Sequence, residues 1–412
     1  MWRLRTFNRL PRRTRPALRF ISNRGPIVLP AEVPVEEETL PSYEPDEYYP
    51  VHIGDVFNSR YRVVGKLGYG LYSTSWLCHD KGDNEYVAVK VSTSLRNVPA
   101  ATHREVEIYA HLAQTDLSHP GCGLIRALYD TFELDGPVGT HQCLVLQPMH
   151  TSLSEIMRSN SKPFKLPLIK VILERLLCAL DFLHTSAHVT HTDITIDNIM
   201  LSVEDETMFA DFEEAERTNP SPRKVVDSSR TIYRSRRFRP PASWENCGLP
   251  VLCDFGEARV GTTQETGPFV QPHVYRAPEI IFEMPWGSAV DIWNVACLTW
   301  DLFERQRLFK GIFDAKGNYD PYKHSALMVA LLGSPPSDFV RRSTTTEQCF
   351  DPRGGWVAGE KAAVPDVSLD SLEKRLSGQE KYDFLRFMRS MLRWLPEERI
   401  TAKDLLEDPW LK

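Results

Sequence analysis

No apolar run in the 412-residue chain approaches the roughly 18–20 residues that a membrane-spanning helix needs. No transmembrane segment is expected. The 8 cysteines are scattered and form no C-x-x-C pair. The clustered thiolates or Cys/His spacing of a metal site are therefore missing. The cysteines read as reduced, mostly buried thiols in an intracellular setting. Excess positive charge is missing too: 49 Lys+Arg stand against 55 Asp+Glu, for a formal net charge of −6. That balance argues against direct nucleic-acid binding by the chain as a whole. Compositional bias is absent, with 42% hydrophobic and 25% charged residues. These ordinary globular proportions exclude a wholly disordered, collagen-like or disulfide-scaffold protein. At about 100–200 residues per domain, the length allows two or three domains or one large two-lobed one.

The amino-terminal part divides by charge. Residues 1–31 carry eight arginines and no acid, with Trp2, Leu4, Phe7 and Leu10 interleaved. This is the composition of a basic disordered tail or of a mitochondrial presequence. Residues 32–60 reverse the sign with Glu36, Glu37, Glu38, Glu44, Asp46 and Glu47 among several prolines. They read as an acidic extended leader lying against the domain. Order is expected to begin near Tyr61.

From Tyr61 a strand runs to Leu67 and ends at Gly68-Tyr69-Gly70; a second strand resumes from Leu71 to Leu77. A glycine turn between strands lets backbone N–H groups approach phosphate oxygens with no Cβ in the way. An ordinary hairpin fits that signal equally well. The next strand, Tyr86-Val-Ala88-Val-Lys90-Val91, ends on a lysine. The helix His103–Leu112 follows, with Val106, Tyr109 and Ala110 on one face and the acids Glu105 and Glu107 beside them.

Further on, His191-Thr-Asp193-Ile-Thr195-Ile-Asp197-Asn198 follows a helical run from Val171 to His184. Asp254-Phe255-Gly256 follows the apolar strand Pro250–Cys253. Tyr275-Arg-Ala277-Pro278-Glu279, a helix opening at Asp291 and Pro396-Glu-Glu-Arg399 complete the series. Six signals in this order resemble the eukaryotic protein kinases across residues 61–411. The resemblance implies an α+β bilobal fold. The small β-rich lobe would span residues 61–148, and the larger helical lobe 149–411.

It also implies a site for ATP and Mg2+ between the lobes. Lys90 would hold the α- and β-phosphates and, in the family's register, Glu105 would pair with it, with Glu107 as the alternative. Asp193 would receive the substrate hydroxyl, and Asn198 and Asp254 would hold magnesium. Leu67, Gly68, Tyr69, Gly70, Ser73, Ser75 and Ala88 would enclose the nucleotide. Adenine would meet the linker Leu146-Gln147-Pro148-Met149 through backbone groups. Glu279, Arg399 and Asp291 would be structural. Asp211-Phe212-Glu213 imitates the metal motif but lacks its glycine, so Asp254 is preferred.

Within the kinases, the phrase Lys66-Leu-Gly-Tyr-Gly-Leu-Tyr-Ser-Thr-Ser-Trp76, the sequence His191-Thr-Asp-Ile194 and a long insert before Asp254 resemble the SR-protein-kinase family, most of all its fungal group. That family implies a serine/threonine kinase acting on Arg-Ser-rich substrates such as splicing factors, as a monomer, in cytoplasm and nucleus. Mitochondrial targeting through the tail is the alternative location. Thr192 replaces the arginine that receives an activation-loop phosphate, so activity without loop phosphorylation is expected; Thr262, Thr263 and Thr266 are that segment's hydroxyls. Thr195 replaces a lysine that contacts the transferred phosphoryl, and Ser75 a valine over adenine. These two changes favour the alternative of a catalytically silent ATP-binding scaffold.

The basic insert, about residues 203–248, carries eight basic residues against Asp227 between Arg217 and Arg239. It reads as a solvated loop. Its Arg234-Ser235-Arg236 also mimics an Arg-Ser substrate, as a pseudosubstrate or an autophosphorylation site. Asp314, Asp320 and Asp338 are candidate docking acids for basic substrates.

Overall fold

The computed structural model describes residues 25–94, 99–240, 248–265 and 270–412; of residues 99–102 it describes the backbone. The amino-terminal lobe is a six-stranded antiparallel sheet. Its strands are β1 (Val56–Phe57), β2 (Tyr61–Gly70), β3 (Ser73–Asp80), β4 (Glu85–Ser92), β5 (Leu128–Asp135) and β6 (Thr140–Leu146), in the order β1-β2-β3-β4-β6-β5. One helix, α1 (Pro99–Leu112), packs on β6. Valines 63, 87, 89, 91 and 145 alternate onto the buried face with Trp76 and Tyr61, as half-buried strands require. The glycines do not form the turn. β2 runs through Gly70 with two register shifts, and the reversal falls at the exposed Leu71-Tyr72.

The carboxy-terminal lobe is built on α3 (Leu166–Asp181) and α6 (Ala289–Glu304), reached from β7 (Met149–Ser152) and α2 (Leu153–Ser159). Helix α3 buries Ile169, Ile172, Leu173, Leu176, Leu177 and Leu180, an i, i+3, i+4 stripe. Helix α6 is buried around nearly its whole circumference and forms the centre of the lobe. A three-stranded sheet joins β12 (Pro250–Leu252), β9 (Ile199–Ser202) and β7, and a second ladder joins β8 (Val189–Thr190) to β13 (Arg259–Val260). These ladders set the catalytic loop against the activation segment. The helices α5 (Pro278–Ile281), α7 (Pro321–Leu332), α8 (Ser337–Val340), α9 (Leu369–Leu372), α10 (Gly378–Met391) and α11 (Ala402–Leu405) complete the lobe; the last follows Arg399.

Two sequence expectations are overturned. The insert is not a solvated loop. It forms α4 (Thr207–Thr218) and a hairpin of β10 (Arg223–Val225) with β11 (Thr231–Tyr233). Met208, Phe209, Phe212 and Phe238 pack with Val64 and Leu77 in a separate small core. Phe212 lies so close to β2 that a Cβ at Gly65 would meet it at 2.9 Å. Order does not begin near Tyr61 either, since the whole leader and residues 25–31 of the basic tail before it are placed.

The cause is charge complementarity. Glu37 pairs with Lys66, a lysine wholly buried in β2, and Glu38 pairs with Lys224 of the insert at 2.9 Å. Arg236 pairs with Glu216 of α4 at 2.7 Å. Leu29 donates to the Arg223 carbonyl and Arg223 to the Ile27 carbonyl, so the leader joins the insert hairpin. Opposite charges counted separately along the chain are neutralised across it.

Candidate active site

The cleft between the lobes holds two adjoining cavities of about 250 and 300 Å³ that share Gly70, Ser73, Lys90, Glu105 and Asp254. Strand β4 brings in Lys90, and α1 supplies the buried Glu105 at 2.7 Å from its ammonium. Glu107 points to solvent. Asp254 lies 3.3 Å from the same ammonium. Burial pulls the Lys90 pKa down, but the Asp254 and Glu105 charges outweigh it and the net shift is upward. Lys90 in turn holds the Asp254 carboxyl below its ordinary range. Both groups are therefore charged at neutral pH.

The catalytic loop is held from beneath. The buried Asp291 accepts the backbone N–H groups of His191 and Thr192, each at 2.8 Å, and the His184 ring at 2.9 Å. Thr192 takes φ +68° and Asp254 φ +66°. For a β-branched residue that left-handed backbone costs of order 1–3 kcal/mol, sustained by its surroundings. The Thr192 hydroxyl donates to the Glu257 carbonyl at 2.8 Å, tying the loop directly to the activation segment. That segment is further held by backbone bonds from Gly261 to His188 and between Gln264 and Trp286. Thr262 and Thr263 are exposed on it, and Thr266 lies outside the described residues.

Asp193 is half-buried. Its Oδ2 accepts from Asn198 Nδ2 at 2.7 Å, while its buried Oδ1 has no partner. Burial and the Asp254 charge push its pKa up, against the His191 and Asn198 interactions. An orphaned carboxylate oxygen beside a cavity is a proton acceptor awaiting a donor. With Nδ2 given to Asp193, the Asn198 amide oxygen and the Asp254 carboxylate are hard oxygen donors, the set a magnesium-sized cation takes. Among the described residues no cluster of three His, Cys, Asp or Glu could hold a metal alone. Such an ion would depend on phosphate oxygens for the rest of its shell.

Leu67, Gly68, Tyr69, Gly70, Ser73, Ser75 and Met149 line the cleft. Ala88 and Gln147 do not. Ala88 is buried in the sheet opposite Leu77 and Leu146, and the Gln147 carbonyl accepts Arg126 Nε at 2.8 Å. Thr195 is buried, and its carbonyl accepts the Asn198 N–H at 3.2 Å. Glu279 and Arg399 form a buried bidentate pair at 2.6 Å. Asp211 faces away on α4, bound to Arg239.

The docking acids are occupied locally. Asp314 closes a turn at Asn318, Asp320 caps α7, and Asp338 pairs with Arg341. Sequence reasoning missed Arg126, His150, Glu155, Arg236, Arg237 and Phe238, which also line the cleft. The last three come from the insert, which crosses from the Lys66 carbonyl to His150 and Glu155. Ser235 is not among the residues lining either cavity, which removes the pseudosubstrate reading. The acidic leader facing a basic insert was the available signal for that wall.

Comparison with known proteins gives a consistent result. The protein kinase domain model matches residues 61–247 and 245–411. The chain is 43% identical over 386 residues to a serine/threonine protein kinase of Aspergillus fumigatus, covering 93% of this chain and 92% of that one. It is 30% identical to the serine/threonine-protein kinase SRPK of Physarum polycephalum, covering 91% of each. It is 25% identical to human SRSF protein kinase 3, covering 91% and 90%. A crystal structure of a kinase domain superposes with TM-score 0.67 at 22% identity, over 89% of this chain and 99% of the other, and shares its fold. The scaffold alternative finds no support among these relatives. Among the described residues no helix is long and apolar enough to cross a membrane.

Proposed function

This chain belongs to the protein kinase family as a serine/threonine kinase, and from that premise we propose that it transfers the γ-phosphoryl of Mg2+-bound ATP to serines in Arg-Ser-rich proteins. One observation carries the reading. Asp193, whose buried Oδ1 has no partner, lines the same cavity as Lys90 and Asp254. Lys90 positions the phosphates, and Asn198 and Asp254 would hold magnesium, which supplies charge neutralisation at the transferred group. Asp193 accepts the proton of the serine hydroxyl as that oxygen attacks. Thr192, bonded to Glu257, holds the loop in place without a phosphate.

The exposed Asp197 beside Asp193, and Glu257 at the mouth of the same cleft, favour a serine flanked by arginine. The relatives named SRPK and SRSF protein kinase 3 support the same substrate class. The test is phosphate transfer from ATP with magnesium to an Arg-Ser repeat peptide, with a Lys-Ser peptide and Asp193→Ala as controls. Transfer that prefers Arg-Ser, needs the divalent ion and is lost in the variant is expected. Equal use of both peptides would overturn the substrate assignment, and no transfer by folded protein the activity.

A further inference from the structure

Ser235 sits where three parts of the chain meet. Its hydroxyl donates to Glu36 Oε2 at 2.5 Å. Glu36 lies 3.8 Å from the buried ammonium of Lys66, and Glu37 pairs with that ammonium directly. Next to Ser235, Arg236 donates its backbone N–H to the Lys66 carbonyl at 2.8 Å. Four residues on from Lys66, where β2 ends, the Tyr48 hydroxyl lies 3.0 Å from the carbonyl oxygens of both Gly70 and Leu71. The leader thus grips the glycine-rich hairpin at its root and at its tip, and Ser235 is part of the root grip. Glu36 takes φ +54°, a left-handed backbone that its contacts must maintain.

We propose that Ser235 is a phosphorylation site whose phosphate unlatches the leader from the glycine-rich hairpin. The proposal rests on the substrate reading above, because Ser235 stands between Arg234 and Arg236. In the transfer, Ser235 Oγ bonds to Pγ of ATP and the bond from Pγ to the bridging oxygen breaks. ADP leaves with that electron pair, and the hydroxyl proton passes to Asp193 of a second copy.

Ser235 is half-buried, so the leader must lift before the hydroxyl can be reached. The phosphate then carries about −1.5 to −2 charge at neutral pH. It would face Glu36 and Glu37 with Lys66 as the shared cation, so like-charge repulsion opposes re-docking. Arg236 is already engaged by Glu216. The exposed Arg234 is placed to take the phosphate instead. A transient opening is thereby converted into a lasting one, with both grips on the phosphate-facing hairpin released.

The full chain carrying Ser235→Glu, Ser235→Ala or Glu36→Gln/Ser235→Glu is digested with a glutamate-specific protease, reading cleavage after Glu44 and Glu47. Cleavage at least tenfold faster than wild type is expected for Ser235→Glu. Rates within about threefold of wild type are expected for Ser235→Ala and for the double variant. Ser235→Glu no faster than Ser235→Ala would overturn the latch. In parallel, wild-type protein is incubated with ATP, magnesium and an Arg-Ser peptide, and phosphate at Ser235 is sought by mass spectrometry. A phosphorylated peptide beside unmodified Ser235 would overturn the site. An unphosphorylated peptide would count against the functional reading, while the Ser235→Glu comparison, which needs no catalysis, still decides the latch.

Discussion

Replacing Glu37 with glutamine should loosen the leader, because the carboxylate is buried together with the ammonium it pairs with. The Lys66 side chain is 0% exposed and that of Glu37 8%. Breaking a buried ion pair by neutralising one partner costs about 3–5 kcal/mol, because the remaining charge stays buried. Here Glu36 remains 3.8 Å from the ammonium. At that separation and an effective dielectric near 20, a pair interacts by about 4 kcal/mol. The ammonium is therefore only partly uncompensated, and the low end of the range applies, about 3 kcal/mol. Before Tyr48 the leader has only short 3-10 turns, and its apolar anchoring in the amino-terminal lobe, through Val51 and Phe57, comes after that point. The chain can then escape by lifting residues 25–47 while the lobes stay folded.

Hydrogen exchange of peptides from residues 25–47 is the assay. About 3 kcal/mol corresponds to roughly 100-fold faster exchange for Glu37→Gln. The double variant Lys66→Met/Glu37→Gln removes the buried charge as well as its partner, so it should recover to within about tenfold of wild type. Exchange in Glu37→Gln within threefold of wild type would refute the reasoning. So would a double variant as open as the single one.

Two further outcomes follow from the site. Thr192→Val keeps the branched side chain but removes the hydroxyl that meets the Glu257 carbonyl, a bond worth about 1 kcal/mol. Its kcat should fall about fivefold, whereas Thr262→Ala/Thr263→Ala/Thr266→Ala should keep more than a tenth of wild-type rate; the reverse pattern in steady-state assays would contradict a loop held without phosphate. The pKa of Asp193 is raised, chiefly by burial, so the base becomes protonated at higher pH than an ordinary aspartate. The acid limb of kcat/KM against pH should therefore lie above the usual carboxylate pKa of about 3.9, and Asp254→Asn, which removes a neighbouring negative charge, should move it downward; an unshifted limb in that variant would remove Asp254 as a contributor.

Much of the catalytic arrangement was legible because it is written locally. Lys90 stands at a fixed place on an alternating strand, and Asp193 and Asn198 are five positions apart on one loop. Asp254 stands two positions after a short buried strand. Each is a spacing along the chain, and backbone geometry turns such spacings into directions. The choice of Glu105 over Glu107 came from the register that the resemblance implies, and the structure buries Glu105 against Lys90 while Glu107, two helical positions on, lies on the exposed face.

What the sequence could not supply depends on segments far apart in the chain. Eight basic residues in the insert predict a solvated loop when counted alone, and eight acids in the leader predict an extended strap. Only folding brings Glu36, Glu37 and Glu38 against Ser235, Lys66 and Lys224. That neutralisation lets Phe209, Phe212 and Phe238 pack on β2 and lets Arg236 and Arg237 wall the cleft. Asp314, Asp320 and Asp338 show the reverse, since the partners the structure gives them are near neighbours in the chain. The sequence by itself determined the fold, the nucleotide cleft and the residues placed for phosphoryl transfer, because motif spacing and apolar periodicity are properties of short segments. The tertiary structure alone decided which charges are buried together and what covers the glycine-rich hairpin, because an ion pair is set by distance in space and not by separation along the chain.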